Sequence, residues 1–188
     1  MDIHVEACDL IEDWTTNLPK QMSKSDFLHA RARFRLQRTL TSIQFSRDDR
    51  SLVRADKNLS SSIDQWLGLA QSFPDIPMFQ ESMAEAYFHR GLLRSRIQQA
   101  AAAKGDLENA RRLFESLVEN HPEMIVYLGD LGRTYLEMGR LCRGNGDKSE
   151  ANQLLDKAVN ALGKATELCP DNAGDQMSLS EARAEHAK

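Results

Sequence analysis

The sequence has few of the features that catalysis, metal binding or membrane insertion requires. Its three cysteines, Cys8, Cys142 and Cys169, have no short spacing between them, which argues against a disulfide framework and a zinc knuckle. They read as reduced, buried or half-buried thiols. The histidines His4, His29, His89, His121 and His186 are scattered, and no pair has HxxxH or HExxH spacing, so no metal site is expected. There is no glycine-rich phosphate loop, nucleophile elbow or CxxC pair, so neither a cofactor nor an enzymatic activity is expected. No run of about 18 apolar residues could span a bilayer. The opening MDIHVEACDLIEDW is acidic and lacks a basic segment followed by an apolar one, so it is not read as a secretory signal and the expected location is cytoplasmic. Aromatics are only 6%, and no stretch alternates apolar and polar residues as a strand would.

What remains is an ordinary soluble composition, 188 residues with 41% apolar and 28% charged, long enough to bury roughly 70% of its unfolded surface. The net charge of −4 is unevenly placed. Residues 1–19 carry five acids and no Lys or Arg, whereas Lys20 to Lys57 carry ten bases against four acids. One positive zone therefore sits in an acidic chain.

The apolar period is helical throughout. Val5, Cys8, Leu10, Ile11 and Trp14 share one side of a predicted helix over 4–17 that stops at Leu18-Pro19. After a polar connection, Ser25-Asp26 offers an N-cap for a helix to about Phe45, and Asp48 or Asp49 for one that stops before Pro74. Pro77 suits the first turn of the next helix. That helix is expected to run on through Ala100–Ala103 and close at Lys104-Gly105, with Asp106 capping a shorter one that ends before Pro122. Helices then follow over 124–143 and 147–168, divided by the Gly144-Asn145-Gly146 turn. Asp171–Asp175 reads as a loop, and Met177–Ala187 as a short terminal helix with a polar side. Short connections make the chain all-α, a succession of antiparallel hairpins.

The segment FPDIPMFQESMAEAYFHRGLL (73–93) returns without a gap as HPEMIVYLGDLGRTYLEMGRL (121–141), and Pro74, Pro122 and Pro170 keep the same interval. That is a period of about 48 residues, within the range of repeat architectures. Within the later unit come Leu128, Leu131-Gly132, Tyr135, Gly146, Ala151, Leu155, Ala158 and Pro170. This order resembles the tetratricopeptide repeat, whose usual period is shorter, about 34 residues. In the later unit the extra length falls as seven residues before Gly146 and seven before Pro170. Seven residues return an apolar face to within about 20°, so each helix grows by about 10 Å and still faces its partner. In the earlier unit the whole excess would lie between Tyr87 and Gly105, which pairs the long helix with the one before it. Long hairpins with such proline joints also resemble bacterial tetratricopeptide arrays that accompany serine/threonine protein kinases.

The resemblance implies an all-α right-handed solenoid: a leading helix (1–24), hairpins over 25–74, 75–122 and 123–170, and a capping segment (171–188), in a chain that looks like part of an array. It also implies a non-enzymatic scaffold that binds a protein, peptide or helix in a concave groove lined by the first helix of each hairpin. The matching positions are Met78, Glu81, Glu85, Phe88 and His89 in one unit and Val126, Arg133, Leu136 and Glu137 in the next, with Phe88 and Leu136 expected to form an exposed apolar patch. The Lys/Asn clamp that chaperone-binding relatives use for a carboxylate is absent, since Glu81, Glu85, Gly129 and Arg133 stand there. Tyr87 and Tyr135 are expected to fill the gaps beside Ala84 and Gly132. Two other readings stay open: self-association through exposed terminal helices, and binding of an acidic or phosphate ligand by Arg31, Arg33, Arg35, Arg38, Arg47, Arg50 and Arg54. Those arginines point several ways on a helix, so solvation and pairing with Glu6, Asp9, Glu12 and Asp13 is the expected role over ligand binding. The negative net charge and the lack of an aromatic ladder argue against nucleic acid.

Overall fold

The computed structural model describes residues 24–45 and 49–188, and every regular element in them is a helix. In chain order these are α1 (Lys24–Phe45), α2 (Asp49–Ser72), α3 (Pro77–Arg96), α4 (Ala100–Asn120), α5 (Ile125–Gly144), α6 (Lys148–Leu168) and α7 (Ala173–His186). The helix expected over 4–17, its pairing with the arginines and the capping role of Asp48 lie outside the described residues.

One turn is used at three joints. The carbonyl of Phe73 accepts from the Ile76 N–H at 3.2 Å, that of His121 from Met124 at 3.0 Å, and that of Cys169 from Asn172 at 3.2 Å. Pro74, Pro122 and Pro170 stand second in these turns, where the ring's fixed φ is already correct. Pro77 then occupies the first turn of α3. Asp147 caps α6 by accepting from the Glu150 N–H at 3.1 Å, and Asn172 caps α7 by accepting from the N–H groups of Gly174 and Asp175 at 3.1 and 3.2 Å.

The joint between α3 and α4 is not at Gly105. The first helix stops at Arg96 and Gln98 takes a left-handed φ of 61°. The Gln98 and Gln99 N–H groups bond back to the Ser95 and Arg94 carbonyls at 3.1 and 2.8 Å, the paired bonds of a Schellman stop. Gly146 repeats this at φ 88°, with Gly146 and Asp147 bonding to Arg143 and Cys142, both at 3.0 Å. Glutamine therefore does at 98 what glycine does at 146, which is why the composition pointed elsewhere. Ala100 to Gly105 belong to the start of α4, and Asp106 is a buried residue of that helix, not its cap. The bounds of α5 and α6 (125, 144, 148, 168) follow those of α3 and α4 (77, 96, 100, 120) at one constant interval, the same that separates the prolines. Both pairs thus join a helix of 20 residues to one of 21, and the long helix that the motif alignment suggested after Tyr87 is absent. At the other end, α7 begins at Ala173, so Asp175 lies in its first turn and not in a loop.

Helices adjacent in sequence pack side by side, and in addition α1 touches α3, α3 touches α5 and α5 touches α7. Among the described residues, successive even helices make no comparable contact. The odd helices therefore line the inner side of the curve. Between them and the even helices lie two apolar clusters. One joins α1, α2 and α3 around Leu59, Trp66 and Phe79; the other joins α3 to α7 around Leu107, Phe114, Leu155 and Leu162. Tyr87 and Leu113 flank both. Space beside Gly132 is filled by Leu162, to whose Cγ an added Cβ would come within 2.6 Å, and not by a tyrosine. Tyr135 is buried nearby and donates its hydroxyl to Glu115 at 2.5 Å.

A polar staple crosses the first cluster's edge. Arg90 donates to both Asp106 oxygens (2.9 and 2.6 Å) and to Ser60 Oγ at 2.8 Å, while Arg94 joins Asp106 at 3.0 Å to Asp56 at 2.7 Å. Asp106 is 4% exposed in its side chain, so these bonds replace the hydration it gave up.

The location of the joint is testable by thermal or urea unfolding. Gly105→Ala, in an open mid-helix position with nothing within 4 Å of an added Cβ, should stabilise by about 0.5–1 kcal/mol. Gln98→Gly should stabilise by about as much by relieving the left-handed residue. Gly139→Ala, whose Cβ would sit 2.8 Å from Leu155 Cγ, should cost about 1–3 kcal/mol. A loss at Gly105 would place the stop where the glycine is.

Candidate functional site

The inner face is built from one stripe of α3 and one of α5. On α3, Met78, Glu81, Glu85 and His89 recur at helical spacing and so share a side; on α5, Val126, Arg133 and Glu137 do the same. Cross-links between helices bring the stripes together. The Tyr127 hydroxyl of α5 donates to Glu81 of α3 at 3.4 Å, Arg33 of α1 pairs with Glu85, and Arg133 of α5 pairs with Asp175 of α7 as well as with Asp130. Arg140 bonds Glu137 at 2.6 Å and Glu181 of α7 at 2.8 Å.

Two of the expected site residues do not face outward. Leu136 is buried at 2% exposure and belongs to the core, and Phe88 packs half-buried against the same cluster. Both lie at the edge of the stripe, where the helix turns toward its partner, so the exposed Phe/Leu patch does not form. The exposed apolar residues on this face are Met78 and Val126, at 40% and 42%. Three participants escaped the sequence reading. Asp130 continues the stripe of Val126 and Arg133 and was detectable from spacing alone. Asp175 was hidden in a polar run that looked like a loop. Arg33 was counted with an arginine cluster, of which Arg38, Arg50 and Arg54 are exposed and make no ion pair to this stripe among the described residues.

Burial governs the electrostatics. It raises the carboxyl of Glu81, with help from the charge on Asp130 and against the pull of Arg33. Burial likewise raises Glu85, opposed by Arg33, and Asp130, opposed by Arg133. Glu137 is raised by burial against Arg140. His89 is driven down to about 4 by burial, then by the cations Arg133 and Arg33, so it is neutral at physiological pH. Among the described residues it makes no hydrogen bond, and its ring meets the edge of Phe88 at 5.3 Å. No group of three or more His, Cys, Asp or Glu among the described residues is placed to hold a metal ion, and none of these helices is long and apolar enough to cross a membrane.

The histidine gives a pH signature. Unfolded, it protonates near 6.5, and folded only near 4, so the unfolded chain holds more protons in between and stability falls as pH falls. The raised carboxylates act in the opposite sense, gaining protons first in the folded state. Comparison with His89→Gln isolates the imidazole. From pH 7 to pH 4 wild type should lose about 3 kcal/mol relative to the variant in urea unfolding. A difference independent of pH would show that His89 is not held neutral.

Comparison with known proteins finds one family model and distant solved structures. Residues 85–123, from the second half of α3 through α4, match the tetratricopeptide repeat family model. No curated protein matches the sequence. Among solved structures, one described as the crystal structure of MamA is 14% identical, covering 88% of this chain and 96% of that one at a TM-score of 0.33. Another, described as the DHF58 filament, is 15% identical, covering 97% and 90% at a TM-score of 0.36. The described residues form an all-α, tetratricopeptide-like helical array.

Proposed function

We propose that this chain is a non-enzymatic protein-interaction scaffold whose inner face, lined by α1, α3, α5 and α7, receives a peptide or helix from a partner. Its hairpins are tetratricopeptide units lengthened to about 48 residues, the interval at which the helix bounds recur. The observation that carries the reading is the equivalence of Met78 and Val126. They occupy the same position in successive units, both exposed, on the stripe that also bears Glu81, Glu85, Arg133 and Glu137. Side-chain apolar surface repeated along one wall, next to half-buried polar groups, supports contact with an elongated ligand. The tetratricopeptide match over 85–123 supports the same class of role.

Replacing Leu136 would test folding and not binding, because it is core. A photo-crosslinking residue at Met78, at Val126 and at the exposed Asn160 on α6 separates the faces. In extract from the native cells, positions 78 and 126 should give the same adduct and position 160 should not. Adducts formed only from position 160, or equally from all three, would remove the inner-face reading.

A further inference from the structure

We propose that the partner segment is basic, and that an arginine or lysine side chain seats against Glu81 and its neighbour Asp130 on the inner face. This rests on the inner face being the binding surface, and it names the chemistry of what binds there. The cations of this wall are already engaged. Arg33 is paired with Glu85. Arg133 is shared by two carboxylates, Asp130 and the almost fully buried Asp175. Glu81 has no guanidinium or ammonium within ion-pair distance among the described residues; its one hydrogen bond is the 3.4 Å donation from Tyr127. Asp130 lies one turn beyond Tyr127 on α5, on the side that faces Glu81. Two half-buried carboxylates thus stand together, of which only Asp130 has an ion pair, and that with an arginine it shares with Asp175.

A second observation points the same way. His89, deeply desolvated and on the same stripe as Glu81 and Glu85, makes no hydrogen bond among the described residues. Its neutral imidazole presents a ring nitrogen that can only accept. The face therefore offers acceptors, two carboxylates and one imidazole nitrogen, while its arginines are already paired. The complementary ligand is rich in N–H donors and positively charged, which describes a guanidinium or an ammonium. Removing half-buried carboxylates from water disfavours their charged form, and a cation arriving there relieves that cost. Met78 and Val126 on the same wall add room for apolar side chains, so the partner is a basic amphipathic segment. The sign is opposite to that of a surface that clamps a carboxylate terminus.

Three labelled peptides of equal length with one apolar pattern and Arg, Gln or Glu at the remaining positions provide the test, read by fluorescence anisotropy with the full chain. The Arg peptide should bind about tenfold or more tighter than the Gln peptide at low salt, and that advantage should shrink in about 300 mM salt as exposed charges are screened. Glu81→Gln, which removes a desolvated charge and keeps its shape, should erase most of the preference without lowering the melting temperature. Equal or tighter binding of the Gln or Glu peptide overturns the proposal, as does an Arg preference untouched by Glu81→Gln. Where all three bind alike and Met78→Asp weakens them equally, the inner-face reading stands and the basic partner falls. Where none binds, the basic partner falls, and the position-dependent crosslinks decide the inner face separately.

Discussion

A leucine seated where its neighbouring helix has no side chain fixes the spacing of the α3–α4 and α5–α6 pairs. Leu107 lies against Gly91 and Leu155 against Gly139, with the carbonyls of Ala103 and Ala151 within 3.4 and 3.3 Å of where a Cβ would project. Such contact leaves no slack in the dense interior, so any change in helix length must bring the same side chains back to the same seam. Seven residues, close to two full turns, is an increment that does this. The rest follows from that seam. With one side of α3 and α5 committed to α4 and α6, the opposite side is left to face the curve's interior, where the odd helices meet.

That interior is assembled against an electrostatic penalty. Four carboxyls there, Glu81, Glu85, Asp130 and Glu137, hold protons more tightly than they would in water because burial outweighs the pull of nearby arginines. Groups shifted this way weaken the folded state at neutral pH. The outer helices carry ion pairs of the ordinary kind, such as Arg111 between Glu108 and Glu115. There the arginine's bond to Glu108 lowers that carboxyl. The penalty is therefore concentrated on the wall that also carries the exposed Met78 and Val126.

Much of this architecture was legible in the sequence. The prolines repeat because each begins the same turn, and the apolar period was helical because every helix buries one side. Glu81, Glu85, His89, Arg133 and Glu137 share helical stripes by spacing alone, which a sequence pattern can show. The misreadings are equally particular. A glutamine adopting a left-handed backbone gives no compositional cue, so Gly105 drew the joint too far along the chain. The run Asp171-Asn172-Ala173-Gly174-Asp175 is polar enough to look irregular, yet Asn172 caps a helix and Asp175 is 1% exposed within it. Leu136 and Arg133 differ by less than a turn, and no single-sequence pattern resolves which side of a stripe's edge a residue takes. Pairings across helices, such as Arg33 with Glu85, depend on tertiary approach and have no local trace.

The polar staple also breaks the symmetry of the repeat. The positions of Arg90, Arg94 and Asp106 correspond, one unit later, to Met138, Cys142 and Leu154, all buried and apolar. The aromatic position of Phe79 and Tyr127 corresponds on α7 to Asp175. A chain of near-identical units risks docking a helix one unit out of place, a characteristic error of repeat folds. Here such a slip would set Arg90 against Leu154 and Met138 against Asp106, stranding buried charges at a cost of about 3–5 kcal/mol each. The charged residues thus label each unit with its place in the order, and the backbone can repeat while the assembly cannot.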